Sequence, residues 1–426
     1  MAGGRAACFD CGAPSDYHQA ASAAPMRYEF PTLSPFKRLQ LDVEIRDGRL
    51  VVRARGMFAP LCRWAFSRWF DVYNHIGPVG SANGSYVYTL YVPPIPSRAH
   101  ARHTEDFVRR WLFGTRIPLA VTIGVTDQCQ CVCAHCSAFE GHRSGPTMSL
   151  HELRRVIEQS VELGVTNVTF TGGEPLLRPD LDAIVAMVPS DQAVSLVFTN
   201  GIGLTAARAR QLKDAGLWGV QISLDSPDPE EHDRLRGWAG CFRAVRDAVA
   251  SARDAGLFAG LSPYATNESV RSGTLQRLAD LGASWGACEL TVFDAIPTGR
   301  LRNQTSVMLT PESRERLIQE GLELRALYRG RMHVVTQSWT NSRSGFARFI
   351  GCLAGHYQFH VTAAGDVRPC DFTPLSIGNV RQSSVADLWK RLTSHPAYRG
   401  HHHECQMQCP SFREKYIDAG VDTSAC

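Results

Sequence analysis

Between residues 118 and about 300, apolar β-rich segments alternate with helical ones. The predicted strands are LAVTIGVT (119–126), VTNVTFTGG (165–173), AVSLVFTNG (193–201), WGVQISLD (218–225), FAGLSPYAT (258–266) and ACELTVFDAIPTG (287–299). Helical spacing falls between them, as in SLHELRRVIEQSVELG and CFRAVRDAVASARDAG. Ser149 with Glu152 three residues on makes a capping box. Six strand–helix alternations predict an α/β fold with a parallel sheet and helices outside it. Curled, this is a partial (β/α)6 TIM-like barrel, with its functional groups at the C-terminal ends of the strands.

The flanks follow other rhythms. Residues 1–115 form an α+β extension that starts with an Ala- and Gly-rich tail. LQLDVEIRDGRLVVRARG predicts a hairpin turning at Asp47–Gly48. In MFAPLCRWAFSRWFDVYNHI, Leu61, Trp64, Ala65, Arg68 and Trp69 share helical spacing, giving an aromatic face flanked by arginines. YVPPIPS is a rigid connector. The barrel spans 116–330, closed by the helical TPESRERLIQEGLELRALYRG. Residues 331–426 form a small third domain, with a hairpin in YQFHVTAAGDVRPC turning at Ala364–Gly365.

Composition narrows the class only modestly. At 426 residues, 44% hydrophobic and 20% charged, the chain has the composition of an ordinary globular protein. A net charge of +4 gives no case for nucleic acid. No apolar run is long enough to span a bilayer, and MAGGRAACFDCG lacks the features of a signal peptide. A cytoplasmic location is therefore expected. There, fourteen cysteines point to metal or redox chemistry rather than to a disulfide framework.

Four of those cysteines lie in TDQCQCVCAHC. Cys129, Cys133 and Cys136 form a C-x3-C-x2-C set, with Cys131 inside it as a fourth candidate. Cys133 and Cys136 alone are also half of a zinc site. The strand ends weigh on the choice. The first predicted strand runs into the cysteines and the second ends in Gly172-Gly173-Glu174-Pro175. The third ends in Thr199-Asn200-Gly201 and the fourth in Ser223-Leu224-Asp225. Thiols, a glycine-rich backbone, carboxylates and hydroxyls thus converge on one mouth. Three close thiolates can hold three irons of a [4Fe–4S] cube and leave the fourth iron open to a ligand.

In CQCVCAHC, TGGEP, TNG and ISLDSPDPEEHDRLRG, taken in this order over about residues 119–300, the sequence resembles the radical S-adenosylmethionine (SAM) enzymes. The resemblance implies that Cys129, Cys133 and Cys136 ligate a catalytic [4Fe–4S] cluster whose open iron is chelated by SAM. It places Gly172, Gly173 and Glu174 along the methionine moiety, with Glu174 receiving its ammonium. A side chain at Gly173 would then block the close approach of SAM. Ser223, Asp225, Thr199 and Asn200 fall on the ribose or carboxylate side. Arg236 pairs with the carboxylate, and His135 lies near adenine. The implied chemistry is reductive cleavage of SAM to a 5′-deoxyadenosyl radical, which abstracts hydrogen from an unactivated carbon. A flavodoxin or ferredoxin is the expected reductant. Cys131 is expected to be a small residue of the loop and not a ligand.

Cys352, Gly365 and Cys370 follow a C-x12-G-x4-C pattern. With PTGR (297–300), IGNVRQSSVADLWK and CQMQCP, this stretch resembles the SPASM and twitch auxiliary-cluster domains. The resemblance implies one auxiliary [4Fe–4S] cluster on Cys352, Cys370 and Cys409, with Cys405 as the fourth ligand and Cys426 as its competitor. The fully paired set of a full SPASM domain is missing ahead of Cys405, where the chain has RGHHHE. The competing reading is a zinc site on the same thiols. His401, His402 and His403 are read as a solvated loop, and Cys8–Cys11 as an exposed pair or a metal half-site.

The substrate is less legible. The aromatic helix suggests a bulky, hydrophobic small molecule or lipid, or peripheral contact with a membrane; the simpler reading is packing onto the fold. The alternative is maturation of a ribosomal peptide. A non-enzymatic electron carrier would not need the predicted SAM pocket, and a zinc-based nucleic-acid binder would need a basic stripe.

Overall fold

The computed structural model describes residues 25–30, 39–56, 59–138, 145–340 and 351–418. Cys8, Cys11 and Cys426 lie outside them. The N-terminal part comprises β1 (Met26–Glu29), β2 (Gln40–Arg46), β3 (Arg49–Arg55), α1 (Ala59–Ile76), β4 (Gly80–Ala82), β5 (Ser85–Val87) and α2 (Arg98–Phe113). The expected hairpin is β2–β3. Its turn places Asp47 and Gly48 at φ 51° and 73°, the left-handed region that an Asp-Gly pair tolerates. A third strand, β1, adds antiparallel to β2.

The α1 helix packs on this sheet, and its aromatic residues divide. Phe66 and Phe70 are buried among Tyr28, Leu41, Val43 and Val52. Trp69 meets Phe107 of α2 edge-on at 4.0 Å. Tyr73 lies 5.2 Å from Tyr88. Trp64 points outward, at 64% exposed. The buried face of α1 is thus that of Cys62, Phe66 and Phe70, whereas Trp64, Ala65 and Arg68 of the expected face are exposed.

The central part runs β6 (Ala120–Thr126), α3 (Leu150–Leu163), β7 (Asn167–Gly172), α4 (Leu181–Val185), β8 (Val194–Thr199), α5 (Ala206–Asp214), β9 (Gly219–Ser223), α6 (Pro229–Arg236), α7 (Cys241–Asp254), β10 (Phe258–Ser262), β11 (Tyr264–Ala265), α8 (Asn267–Arg271), α9 (Thr274–Trp285), β12 (Glu289–Asp294), α10 (Pro311–Leu327), β13 (His333–Thr336) and α11 (Gln337–Thr340). Strands β6, β7, β8, β9, β10 and β12 are parallel neighbours in that order, and β13 extends the sheet beyond β12. The sheet is open, a partial barrel. The Ser149–Glu152 capping box starts α3 as expected. Outward-facing Val121, Ile123, Val168, Phe170 and Val220 are buried against helices.

The C-terminal part holds β14 (Gln358–Val361), β15 (Asp366–Arg368), β16 (Gly378–Asn379), α12 (Val385–Ser394) and α13 (Pro410–Arg413). Gly365, at φ 89°, turns β14 into β15. Strand β14 also pairs in parallel with β6, so the barrel sheet runs on into this part of the chain. The N-terminal part reaches the barrel from below. The Leu90 amide donates to the buried Glu289 carboxylate at 2.7 Å, and Tyr91 follows it into the lumen.

Candidate active site

At the C-terminal ends of the barrel strands lies a cavity of about 340 Å³. The loop after β6 lines it with Cys129, Cys131, Cys133 and Cys136. Backbone bonds fix this loop on both sides. The amides of Gly173 and Glu174 donate to the carbonyls of Thr126 and Gln128, both at 2.7 Å. Val132 and Ala134 amides donate to the carbonyls of Arg236 and Leu235 at the end of α6, both at 3.0 Å. From the far side the Arg300 amide donates to the Cys136 carbonyl at 3.1 Å, while Gly299 sits at φ 54° with that carbonyl where a Cβ would be. The PTGR stretch is therefore a brace for the cysteine loop.

Two glycines serve the same loop. A Cβ on Gly172 would lie 2.2 Å from the Thr126 carbonyl oxygen, and one on Gly173 the same distance from that of Gln128. The steric demand at Gly173 thus comes first from the cysteine loop and not from a ligand's approach. Both glycines line the cavity all the same.

Glu174 is 1% exposed. Its carboxylate accepts from Thr199 Oγ1 and from the Asn200 amide, both at 2.7 Å, and from the Leu176 amide at 3.0 Å. It therefore ties the end of β7 to that of β8, with Thr199 and Asn200 as its partners. Burial pushes its pKa up to about 7 against the pull of these bonds.

A second polar group stands opposite. Arg236 Nε lies 2.7 Å from Asp225 Oδ2, and its Nη1 donates to Cys133 Sγ at 3.8 Å. His135 Nε2 is 3.4 Å from the same Asp225 oxygen. Burial raises Asp225, but Arg236 and then His135 and His232 outweigh it and hold the carboxyl below its ordinary value. His135 stacks on Tyr264 with ring centroids 4.7 Å apart and planes 12° from parallel. Ser223 lines the wall beside them. The thiol of Cys133 is pulled below its ordinary value, first by hydrogen bonding from Cys131 and also by Arg236; that of Cys129 is lowered mainly by Cys131. Thiols so disposed favour the deprotonated form that binds metal. Three cavity-facing thiols, two of them lowered, on a braced loop fit an iron–sulfur cluster with one open iron.

The lumen is not filled like an ordinary barrel core. Thr122, Asn167, Thr169 and Thr171 line one wall, and Phe198, Phe293 and Phe372 another. Phe293 contacts both other rings, at 6.0 and 6.2 Å. Asp371 also lines the cavity and pairs with His360 at 3.1 Å. Burial raises its pKa, but His360 and Thr122 bring it below the ordinary value.

In the C-terminal part, Cys352, Cys370 and Cys405 are buried; Cys352 raises the pKa of Cys370, and Cys352 and Cys370 raise that of Cys405, each adding to the effect of burial. Cys409 is exposed, at the start of α13, with Sγ 3.2 Å from Ser411 Oγ. The structure thus groups Cys405, ahead of Cys409, with the Cys352–Cys370 pair. The three histidines lie beside this group: the Cys352 amide donates to the His402 carbonyl at 2.7 Å, and the His401 and His403 rings are 4.8 Å apart.

Family models match two stretches of the chain. Residues 123–267 match the radical SAM superfamily, and residues 352–410 the SPASM domain, an iron–sulfur cluster-binding domain. A PqqA peptide cyclase of Streptomyces rochei is 30% identical over 296 residues, 66% of this chain and 78% of that protein. The chain belongs to the radical SAM superfamily. It carries a C-terminal SPASM domain, and it is an enzyme that uses a [4Fe–4S] cluster and SAM, with auxiliary iron–sulfur chemistry in the SPASM domain. An AdoMet-dependent heme synthase of Nitratidesulfovibrio vulgaris is 26% identical over 285 residues, 63% of this chain and 77% of that protein. Streptococcus suis SuiB bound to its precursor peptide SuiA shares the fold, with TM-score 0.57 and 14% identity over 84% of this chain and 88% of that one. So does anSMEcpe with bound AdoMet, with TM-score 0.52 and 17% identity over 68% and 84%.

Sequence reasoning missed Tyr264 and Asp371. Tyr264 lies within a predicted strand, and Asp371 directly follows a cysteine already singled out.

Proposed function

We propose that this radical SAM enzyme modifies a peptide, abstracting hydrogen from a side chain placed in the barrel lumen. The observation that carries the reading is the single cavity onto which the motif cysteines, the Asp225–Arg236 pair and the polar lumen wall all open. The similarity to PqqA peptide cyclases supports the peptide class.

In this reading Cys129, Cys133 and Cys136 hold the catalytic cluster. When bound, the cluster and SAM supply the 5′-deoxyadenosyl radical. The chain's own residues do the rest. The Glu174 clamp and the glycine pair fix the loop and offer the methionine end a backbone edge. Arg236 and Asp225 orient polar groups of SAM, with Ser223, Thr199 and Asn200 completing that wall. His135 and Tyr264, stacked on one another, would offer an aromatic surface to the adenine of SAM. Asp371, ionised in the lumen, accepts a proton from the modified substrate, and His360 steadies it. Cys352, Cys370 and Cys405 hold an auxiliary cluster, with Cys409 or Cys426 completing it. A flavodoxin or ferredoxin supplies electrons.

A second reading, a bulky apolar small molecule, is favoured by the Phe198–Phe293–Phe372 wall. Anaerobic incubation with SAM, dithionite and either synthetic peptides or porphyrins separates the two. The peptide reading expects a mass change in a peptide, with 5′-deoxyadenosine formed above the substrate-free level. Modification of a porphyrin alone would overturn it.

A further inference from the structure

The cavity is lined from the first residues of the barrel strands to the loops after their ends. Gln358, Ala120 and Asn167 line its lower part; they open β14, β6 and β7 and are neighbours in register. On β6 the lining side chains are Ala120 and Thr122, too small to fill the barrel from that side.

The tip of the loop 86–95 enters this lower part instead. The amides and carbonyls of Tyr86 and Ile95 pair at its base, at 2.7 and 2.8 Å. At its tip Leu90 is fully buried with Leu196 and Phe258, and its amide is held by Glu289, the first residue of β12. Tyr91 then lines the cavity.

Two donors in this region have no partner. Tyr91 Oη is buried and makes no hydrogen bond. Asn167 is 2% exposed, and Thr169 Oγ1 donates to its Oδ1 at 2.9 Å. That bond fixes the amide and leaves Asn167 Nδ2 buried without an acceptor. Buried donors left unmade are costly, so two of them on one cavity point to an acceptor from outside the chain. Its charge is constrained as well. The carboxylates of Asp371, on the same cavity, and of Glu289, beside Leu90, oppose a further anion. An ammonium has no lone pair to offer Asn167 Nδ2. A neutral carbonyl oxygen meets both conditions.

We propose that Tyr91 and Asn167 form a subsite for the neutral carbonyl end of a long substrate side chain, with a carboxamide as the fitting group. This rests on the reading that a peptide side chain enters the lumen. From Asn167 to Gly172, β7 rises by roughly 16 Å, so the subsite lies well below the cysteine loop. Holding the far end there sets how deep the side chain sits, and thus which carbon meets the 5′-deoxyadenosyl radical.

Ligand-observed saturation-transfer NMR on the anaerobic holoenzyme with SAM tests the subsite. The probes are propanamide, propanoate and propylammonium, similar in size and different in charge. Wild type should bind propanamide most tightly. Tyr91→Phe, which removes only the hydroxyl, should weaken propanamide about two- to tenfold, the worth of one hydrogen bond. It should not lower the melting point, because the hydroxyl has no partner in the protein to lose. Asn167→Ala should weaken propanamide as well; if that variant does not fold, Tyr91→Phe decides alone. Tighter binding of propanoate or propylammonium overturns the assigned group. Equal propanamide binding by wild type and Tyr91→Phe, or no binding at all, overturns the subsite. Failure of the peptide reading shows separately, as no peptide product from wild type.

Discussion

At Gly173 the sequence suggested room for a bound ligand, and the structure shows the carbonyl of Gln128 in that place. The two accounts predict different losses. Gly173→Ala should lower iron bound at the first site, because the added Cβ drives the cysteine loop outward. Iron analysis with SAM binding checks this: full iron with weak SAM binding would restore the simpler ligand-approach account. That Cys129, Cys133, Cys136, Glu174 and Asp225 come together at one cavity was legible from residue type and position at the strand ends. Their partners were not. That Glu174 grips Thr199 and Asn200, or that Arg236 meets Cys133 across 103 residues, depends on strand register and helix placement that no local pattern encodes.

Among the elements, α1 separates packing from exposure within one helix. Phe70→Ala should cost about 3–5 kcal/mol, the usual loss for a buried phenylalanine, whereas Trp64→Ala should change stability by less than about 0.5 kcal/mol. Denaturant melts of the two variants check the pair; equal losses would contradict the packing described. The helix itself was legible from its spacing, but its buried face was not, because aromatic residues occur all around it. Strand β1 was missed since four residues carry too little periodicity, and β13 because it needs β12 as a partner. A neighbouring element, α2, joins the N-terminal part to the barrel through two buried histidines. His100 Nδ1 lies 3.0 Å from Tyr28 Oη, and His103 Nδ1 lies 2.8 Å from Thr166 Oγ1. Burial lowers His103 from the ordinary 6.5 to about 4. The neutral ring is the folded form, so stability is fully present above pH 6.5 and falls as the pH drops toward 4, by about 1.4 kcal/mol per unit. His100, His333 and His356 are lowered in the same way, so unfolding free energies at pH 7 and pH 5 should differ by more than this one group supplies, and His103→Gln should reduce the difference by about 1.4 kcal/mol per unit below pH 6.5. An unchanged slope would contradict a buried neutral ring.

Across the whole molecule, β14 carries the C-terminal part onto the barrel's first strand, and Asp371 enters the lumen directly after Cys370. The chain directly after Cys370 thus forms part of the cavity wall. Cys370→Ala should retain 5′-deoxyadenosine formation while product falls at least tenfold, as measured by chromatography of both; full turnover would reduce the domain to a structural role. Among the described residues no helix is long and apolar enough to cross a membrane. The central claim is that Cys129, Cys133 and Cys136 hold the cluster that cleaves SAM. The most direct measurement is 5′-deoxyadenosine released anaerobically from SAM with dithionite by wild type and by Cys133→Ala. Wild type should release it and the variant should release none above the enzyme-free level. Retained cleavage by the folded variant would contradict the account.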